Sequence, residues 1–139
     1  MRTIIIFLIL SSNILAQEII GIPKIVDGDT VYINNFKIRL EGIDAPEIKQ
    51  KCKKEKLKIS SIIGYTFYED YYCGEHSKEN LEVKVKGSNI KCISFTKDRY
   101  KRYLAKCFKG KINLNRWMVR NGHAVAYRRY SKEYIPDED

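Results

Sequence analysis

The sequence predicts a small α+β domain. Two observations carry that prediction. Residues 31–40 alternate apolar and polar around Asn34-Asn35, the pattern of a two-stranded hairpin. Residues 113–122 place Leu114, Trp117 and Met118 at helical i, i+3, i+4 spacing, with Asn113 as a cap and Gly122 as a stop. A chain of 139 residues suits one domain with a modest core, and 44% hydrophobic content with ten tyrosines argues for a folded chain.

Taken in order, residues 1–16 read as a secretory signal peptide. Arg2 is followed by a nearly all-apolar run from Thr3 to Leu10, and Ala16 offers a small residue before Gln17. The run is too short for a comfortable membrane span. The folded domain is therefore expected over 17–139, exported (secreted or periplasmic), with no span after cleavage. Glu18 to Val26 is the first expected strand, with Pro23 marking an edge or a bulge.

The hairpin follows. Val31, Ile33, Phe36, Ile38 and Leu40 share one face, expected to be core, and Arg39 falls opposite Thr30. Strict register puts Asp29 and Arg39 on opposite faces, so they meet only through a bulge or at the strand ends. Pro46 then stops the ladder and holds Asp44 and Glu47 on a stiff turn.

Six lysines lie between Lys49 and Lys58, ahead of Tyr65, Phe67, Tyr68, Tyr71 and Tyr72. Lysines beside aromatics suit a flexible single nucleic-acid strand. A solvated lysine loop with its tyrosines packed on the domain is the preferred reading. Residues 74–87 carry Leu81 and Val85 four apart, with Glu75 and Glu79 early and Lys84 and Lys86 late, as a helix would; residues 82–86 also alternate as a strand would. Residues 89–95 read as a strand. Residues 98–105 bring Arg99, Tyr100 and Arg102 together before another strand, a group suited to phosphate. His76 and His123 have no evident orienting partner and read as structural.

The net charge of +9, from 26 basic and 17 acidic residues, favours polyanionic partners: nucleic acid or an anionic membrane. Four cysteines in an exported chain suggest two disulfides, with three possible pairings. No Cys-x-x-Cys spacing supports zinc. The chemistry concentrates between Val26 and Glu47, where Asp29, Asp44 and Glu47 stand with Arg39. Carboxylates at strand ends suit a hard cation and an arginine among them suits a phosphate, which points to metal-assisted attack on a phosphodiester.

Asp27-Gly28-Asp29-Thr30-Val31, then Arg39-Leu40, then Asp44-Ala45-Pro46-Glu47 resemble the signature of the thermonuclease, or staphylococcal nuclease-like, family. Asp98 to Arg102 resembles its Asp-x-Tyr-Gly-Arg pattern, with Lys101 where glycine is usual, and Ala124 to Ser131 resembles a common family ending. The resemblance covers about residues 22–136. It implies a five-stranded OB-like β-barrel with two to three helices, and helix over 74–87. It implies a calcium site, rather than magnesium or manganese, on Asp29, Asp44 and the Ala45 carbonyl. Arg39, Glu47 and Arg102 would be catalytic, and Arg99, Tyr100 and Tyr127 would contact substrate. The implied activity is hydrolysis of DNA and RNA with little sequence preference, leaving 3′-phosphate ends, by a monomer without a stable protein partner. If the segments pair as in that fold, Cys52–Cys73 and Cys92–Cys107 are the favoured disulfides. A catalytically silent OB-like nucleic-acid-binding module and a disulfide-stapled envelope protein are the competing readings.

Overall fold

A computed structural model describes residues 15–58 and 66–138. Most of the expected signal peptide and Tyr65 lie outside the described residues. The main sheet contains β1 (Gln17–Gly21), β2 (Pro23–Asp27), β3 (Thr30–Ile33), β4 (Phe36–Leu40), β8 (Ile90–Lys97) and β9 (Tyr103–Lys109), in the order β1-β8-β9-β4-β3-β2, with the short β10 (Ile112–Asn113) added to β9. A second pair joins β5 (Ile43–Asp44) to β11 (Val125–Ala126), and a third joins β6 (Cys52–Lys58) to β7 (Thr66–Tyr71). Among the described residues two α-helices, α1 (Cys73–Val85) and α2 (Leu114–Arg120), complete the core, and a short 3-10 turn follows at Ile135–Asp137.

The expected first strand is two strands. It breaks at Ile22, just before Pro23, so β1 bonds β8 at one edge of the sheet while β2 bonds β3 at the other. One stretch of chain thus holds both edges and curls the sheet. Counting β1 and β2 together, the five strands expected of an OB-like barrel are present, and β10 is a short addition. A register shift between Ile25 and Asp27 bends β2 into the turn at Gly28-Asp29.

Ile33, Ile38, Leu40 and Val31 are all buried, as the alternation predicts. Phe36 is not: it lies at the hairpin end, 38% exposed, with its ring edge-on to Tyr103 at 5.5 Å. Asn34 takes a positive φ of 53°, which suits the tight hairpin turn. In α1, Leu81 and Val85 are buried, so helix prevails over strand for this segment. Burial of one face, not local alternation, decides it.

In α2, the Asn113 side chain accepts a hydrogen bond from the Arg116 N–H at 3.0 Å. At its other end Gly122, with φ of +68°, donates to Val119 and His123 donates to Met118, the double bond of a left-handed C-terminal stop. Leu114 and Met118 are core, whereas Trp117 is only half buried and packs its ring 5.3 Å from His123. Asn115 is fully buried and ties the end of β4 to the middle of β9: it donates to the Glu41 and Ala105 carbonyls and accepts from the Cys107 N–H. Both favoured disulfides are formed. Cys92 and Cys107 are direct cross-strand partners, and Cys52–Cys73 ties the β6–β7 hairpin to the start of α1.

Candidate active site

β3 and β4 set the first part of the site. Thr30 pairs with Arg39, as the hairpin register predicts. Asp29 sits one residue before β3, in the turn, so the strand-end solution brings it to Arg39. The turn is held from both sides: the Asp29 carbonyl accepts from the Leu40 N–H at 2.7 Å, and its N–H donates to Asp27 Oδ1 at 3.0 Å. The Asp29 carboxylate is 3% exposed by residue and fully engaged. Oδ1 accepts from Thr30 Oγ1 and Arg39 Nη1, and Oδ2 accepts from the Ala45 N–H at 2.9 Å. Burial pushes its pKa up to about 6, against the lowering effects of the Ala45 N–H and the Arg39 charge.

β5 brings in the second carboxylate. Asp44 pairs with Val125 of β11, and its Oδ1 accepts from Arg39 Nη2 at 2.7 Å. One guanidinium therefore joins a buried carboxylate to an exposed one. One oxygen from the turn before β3 and one from β5 converge on one cationic group, with the Ala45 backbone beside them. That all-oxygen donor set suits a hard divalent ion, so Asp29, Asp44 and Ala45 fit the expected calcium ligands by chemistry. Among the described residues there is no cluster of three or more acidic, histidine or cysteine side chains in metal-binding reach. Among the described residues, a third ligand beside these two carboxylates would be backbone or solvent.

Glu47 follows Pro46 on an exposed turn, its N–H donating to Gln50 Oε1 at 3.2 Å. Two glycines decide how this turn meets the rest. A Cβ on Gly74 would lie 1.8 Å from the Glu47 carbonyl oxygen, and a Cβ on Gly28 would lie 1.9 Å from Ser77 Oγ and 2.7 Å from the Ala45 Cβ. So α1 packs directly against both acidic segments, and only glycine permits the approach. Ser77 Oγ in turn donates to the His123 carbonyl at 2.6 Å, which fixes the segment entering β11.

β4 and β9 run parallel, with Arg39 beside Leu104. Arg102 lies just ahead of β9, two residues before Leu104, next to the strand that pairs with β4. Its Nε donates to Asp98 Oδ2 at 2.7 Å. Burial would raise the Asp98 pKa, but the Arg102 side chain and backbone hold it below the usual carboxylate value. Lys101 adopts φ of 63°, the left-handed form that glycine adopts freely, and the turn closes through Lys101 N–H to the Asp98 carbonyl. The turn thus keeps a glycine-type backbone although lysine stands where glycine is usual. Tyr100 is 63% exposed, with Arg99 and Arg102 guanidiniums 4.8 and 5.4 Å from its ring centroid. Tyr127 is half buried, donates its N–H to the Gly42 carbonyl and meets Tyr130 edge-on at 4.8 Å.

Asp29, Arg39, Asp44 and Ala45 are thus in direct contact. Arg102 stands at the start of β9, the parallel neighbour of Arg39's strand, and pairs with Asp98, with no direct contact to the acidic group among the described hydrogen bonds. Glu47 is tied to them through the Ala45-Pro46 turn, and Arg99, Tyr100 and Tyr127 make no direct contact with the acidic group among the described hydrogen bonds. Sequence reasoning missed Gly74, Ser77 and Asn115, which give no periodic signal, and took Gly28 only as part of the Asp27–Val31 motif, not for the close approach it permits. It also missed that His76 and His123 meet, with ring centroids 5.5 Å apart. Burial, then the neighbouring His76, depresses the His123 pKa.

The family model described as staphylococcal nuclease homologue matches residues 37–138. Succinoglycan biosynthesis protein ExoI of Rhizobium meliloti is 34% identical over 113 residues, covering 79% of this chain and 53% of that protein. An uncharacterized endonuclease of Haemophilus influenzae is 32% identical over 137 residues, covering 95% of this chain and 65% of that protein. A probable staphylococcal-like nuclease, CAN2, of Oryza sativa is 26% identical over 104 residues, covering 75% of this chain and 23% of that protein. The chain spans about half to two thirds of the length of the first two relatives.

Proposed function

This chain belongs to the staphylococcal nuclease homologue family, and from that premise we propose that it is a nuclease hydrolysing phosphodiester bonds of DNA and RNA with little sequence preference. The observation that carries the reading is the Asp29–Arg39–Asp44 bridge, which sets a metal-type donor pair against a phosphate-type cation on one sheet end. Arg39 and Arg102 grip the phosphate oxygens and stabilise the extra negative charge of the transition state, as guanidinium does by staying charged and donating two parallel bonds. Glu47 orients a water in line with the scissile bond and takes its proton. The new bond joins the water oxygen to phosphorus, the bond to the 5′ oxygen breaks, and that oxygen is protonated from solvent. The products are a 3′-phosphate and a 5′-hydroxyl. Tyr100, Tyr127 and Arg99 flank the phosphate. A groove that holds backbone and not base edges accounts for weak sequence preference.

Asp29, Asp44 and the Ala45 carbonyl would hold the metal, with calcium the favoured ion. When bound it supplies positive charge at the phosphate. Residues 1–16 serve as an export signal, and the two disulfides suit an oxidising compartment. No helix among the described residues is long and apolar enough to cross a membrane. The enzyme acts as a monomer.

The test is digestion of single- and double-stranded DNA and of RNA with calcium, repeated with chelator. Cleavage that chelator abolishes supports the reading. Binding without cleavage in both conditions identifies a silent binding module instead. Glu47→Gln and Arg102→Ala should each lower turnover by about a hundredfold or more. Near-normal turnover in either variant removes that residue from the mechanism.

A further inference from the structure

The β6–β7 hairpin was expected to be a solvated loop with its aromatics packed away. It is an ordered pair of strands whose aromatics stay out: Phe67, Tyr68 and Tyr72 are each more than half exposed. The two strands bond only each other. Such a ribbon is marginal by itself, and here the Cys52–Cys73 disulfide and the Gly74 N–H to the Gln50 carbonyl fasten its base to α1.

The pairing register sorts the hairpin into faces. Cys52 opposes Tyr71 and Lys54 opposes Glu69, so Lys54, Tyr71 and Phe67 fall on one face. On that face Lys54 Nζ lies 5.7 Å over the Tyr71 ring, and Lys54 and Lys56 share Glu69 at 3.1 and 3.5 Å. Six lysines in 49–58 outnumber the three hairpin carboxylates Glu55, Glu69 and Asp70. The ribbon is cationic even after its internal pairs.

This face runs into a cleft of about 310 Å³, lined among others by Asp44, Ala45, Tyr71, His76 and His123. Its rings follow one another: Tyr71 to His76 at 6.1 Å, then His76 to His123 at 5.5 Å. The cleft therefore begins at the Asp44-Ala45 edge of the acidic site and continues onto the basic ribbon. Its volume is that of a small-ligand site. Rings for stacking, lysines for phosphate and continuity with the site select one occupant.

We propose that the cleft and the hairpin face beyond it form a track for single-stranded nucleic acid flanking the scissile linkage. Bases stack on His76, Tyr71 and Phe67, and phosphates run past Lys54 and Lys56. The track rests on the reading above only in placing the scissile phosphate at Arg39. Stacking on rings is indifferent to base identity, so the track adds affinity and chain-length dependence without sequence preference.

Two measurements test it. In the first, the full chain carrying Glu47→Gln, so that substrate survives, is titrated with a labelled twenty-nucleotide thymidine strand by fluorescence anisotropy. Adding His76→Ala or Phe67→Ala should raise Kd about tenfold each, and Phe67→Trp should restore it. Lys54→Ala with Lys56→Ala should flatten the slope of log K against log salt by about 0.7 per lysine. Inorganic polyphosphate of matched charge should compete poorly. In the second, the unmodified protein is compared with the same ring variants on the twenty-mer and on a dinucleotide. The ratio of kcat/KM values, long over short, should fall towards one in the variants. An unchanged Kd and an unchanged ratio overturn the track. Ring-insensitive binding that polyphosphate displaces fully also overturns it, leaving a charged surface for acidic partners in general. If the unmodified protein cleaves nothing, the nuclease reading fails, and the anisotropy result still decides the track.

Discussion

Gly74→Ala tests how the fold positions Glu47, because the substitution alters no group with chemistry. The new Cβ would stand 1.8 Å from the Glu47 carbonyl oxygen and 2.5 Å from its carbonyl carbon, whereas real Cβ contacts essentially never fall under 3.0 Å. Clearing the oxygen alone requires roughly 1 Å of movement, the scale at which misplacing a catalytic group costs about a hundredfold. The helix is the poorer candidate to give way. Cys73 is disulfide-bonded, and Leu81 and Val85 are buried in the core. The Glu47 turn is exposed and moves instead. The expected result is a fall in kcat of about a hundredfold, with a stability loss of about 1–3 kcal/mol from overpacking. Turnover and thermal melting are measured on Gly74→Ala, Glu47→Gln and the double variant. If the glycine acts through Glu47, the double variant is no slower than Glu47→Gln alone. A Gly74→Ala protein with normal kcat, or losses that multiply in the double variant, would refute the packing argument.

Three further outcomes follow from the geometry. Lys101→Gly should raise stability by about 0.5–1 kcal/mol, since relief of the left-handed backbone, roughly 1–2 kcal/mol, exceeds the added chain entropy of glycine; a melting temperature that falls contradicts it. Cys52→Ala with Cys73→Ala opens a loop of sequence separation 21 and should cost about 3 kcal/mol by loop entropy, read by urea unfolding under oxidising conditions. Asp137 is buried and accepts from Arg116 and Arg120 at 2.9 and 2.6 Å; burial opposes its charge, but these two hold its pKa below the usual value. Its stabilisation is therefore present above the unfolded carboxylate pKa and disappears as pH falls through the lower folded one. Asp137→Asn should destabilise by about 1 kcal/mol at pH 7, the arginines being partly exposed, and the difference from the parent should shrink as pH falls below the usual carboxylate range.

Much of the fold was legible because local signals agreed with burial. Asn113 and Gly122 bracket α2 as cap and stop, and Pro23 marks the break between β1 and β2. The acidic residues and Arg39 were legible as a group, since the hairpin register alone sets Arg39 against Thr30. What escaped depends on contacts between distant segments. Nothing in a window around Gly74 announces the Glu47 carbonyl, and nothing near His76 announces His123. Phe36 misled because alternation assigns a face but not a depth, and the hairpin end runs out of core to cover it. The tyrosines after residue 65 misled for the opposite reason: aromatic content suggests burial, yet a two-stranded ribbon has no second layer.

Arg39 already serves as counter-ion to both Asp29 and Asp44. A cation held by both carboxylates would displace a guanidinium instead of meeting two bare negative charges. An anion that draws Arg39 outward leaves the carboxylates under-neutralised and the cation better held. Ligands of opposite sign bound there would recruit one another, by the same factor in either direction.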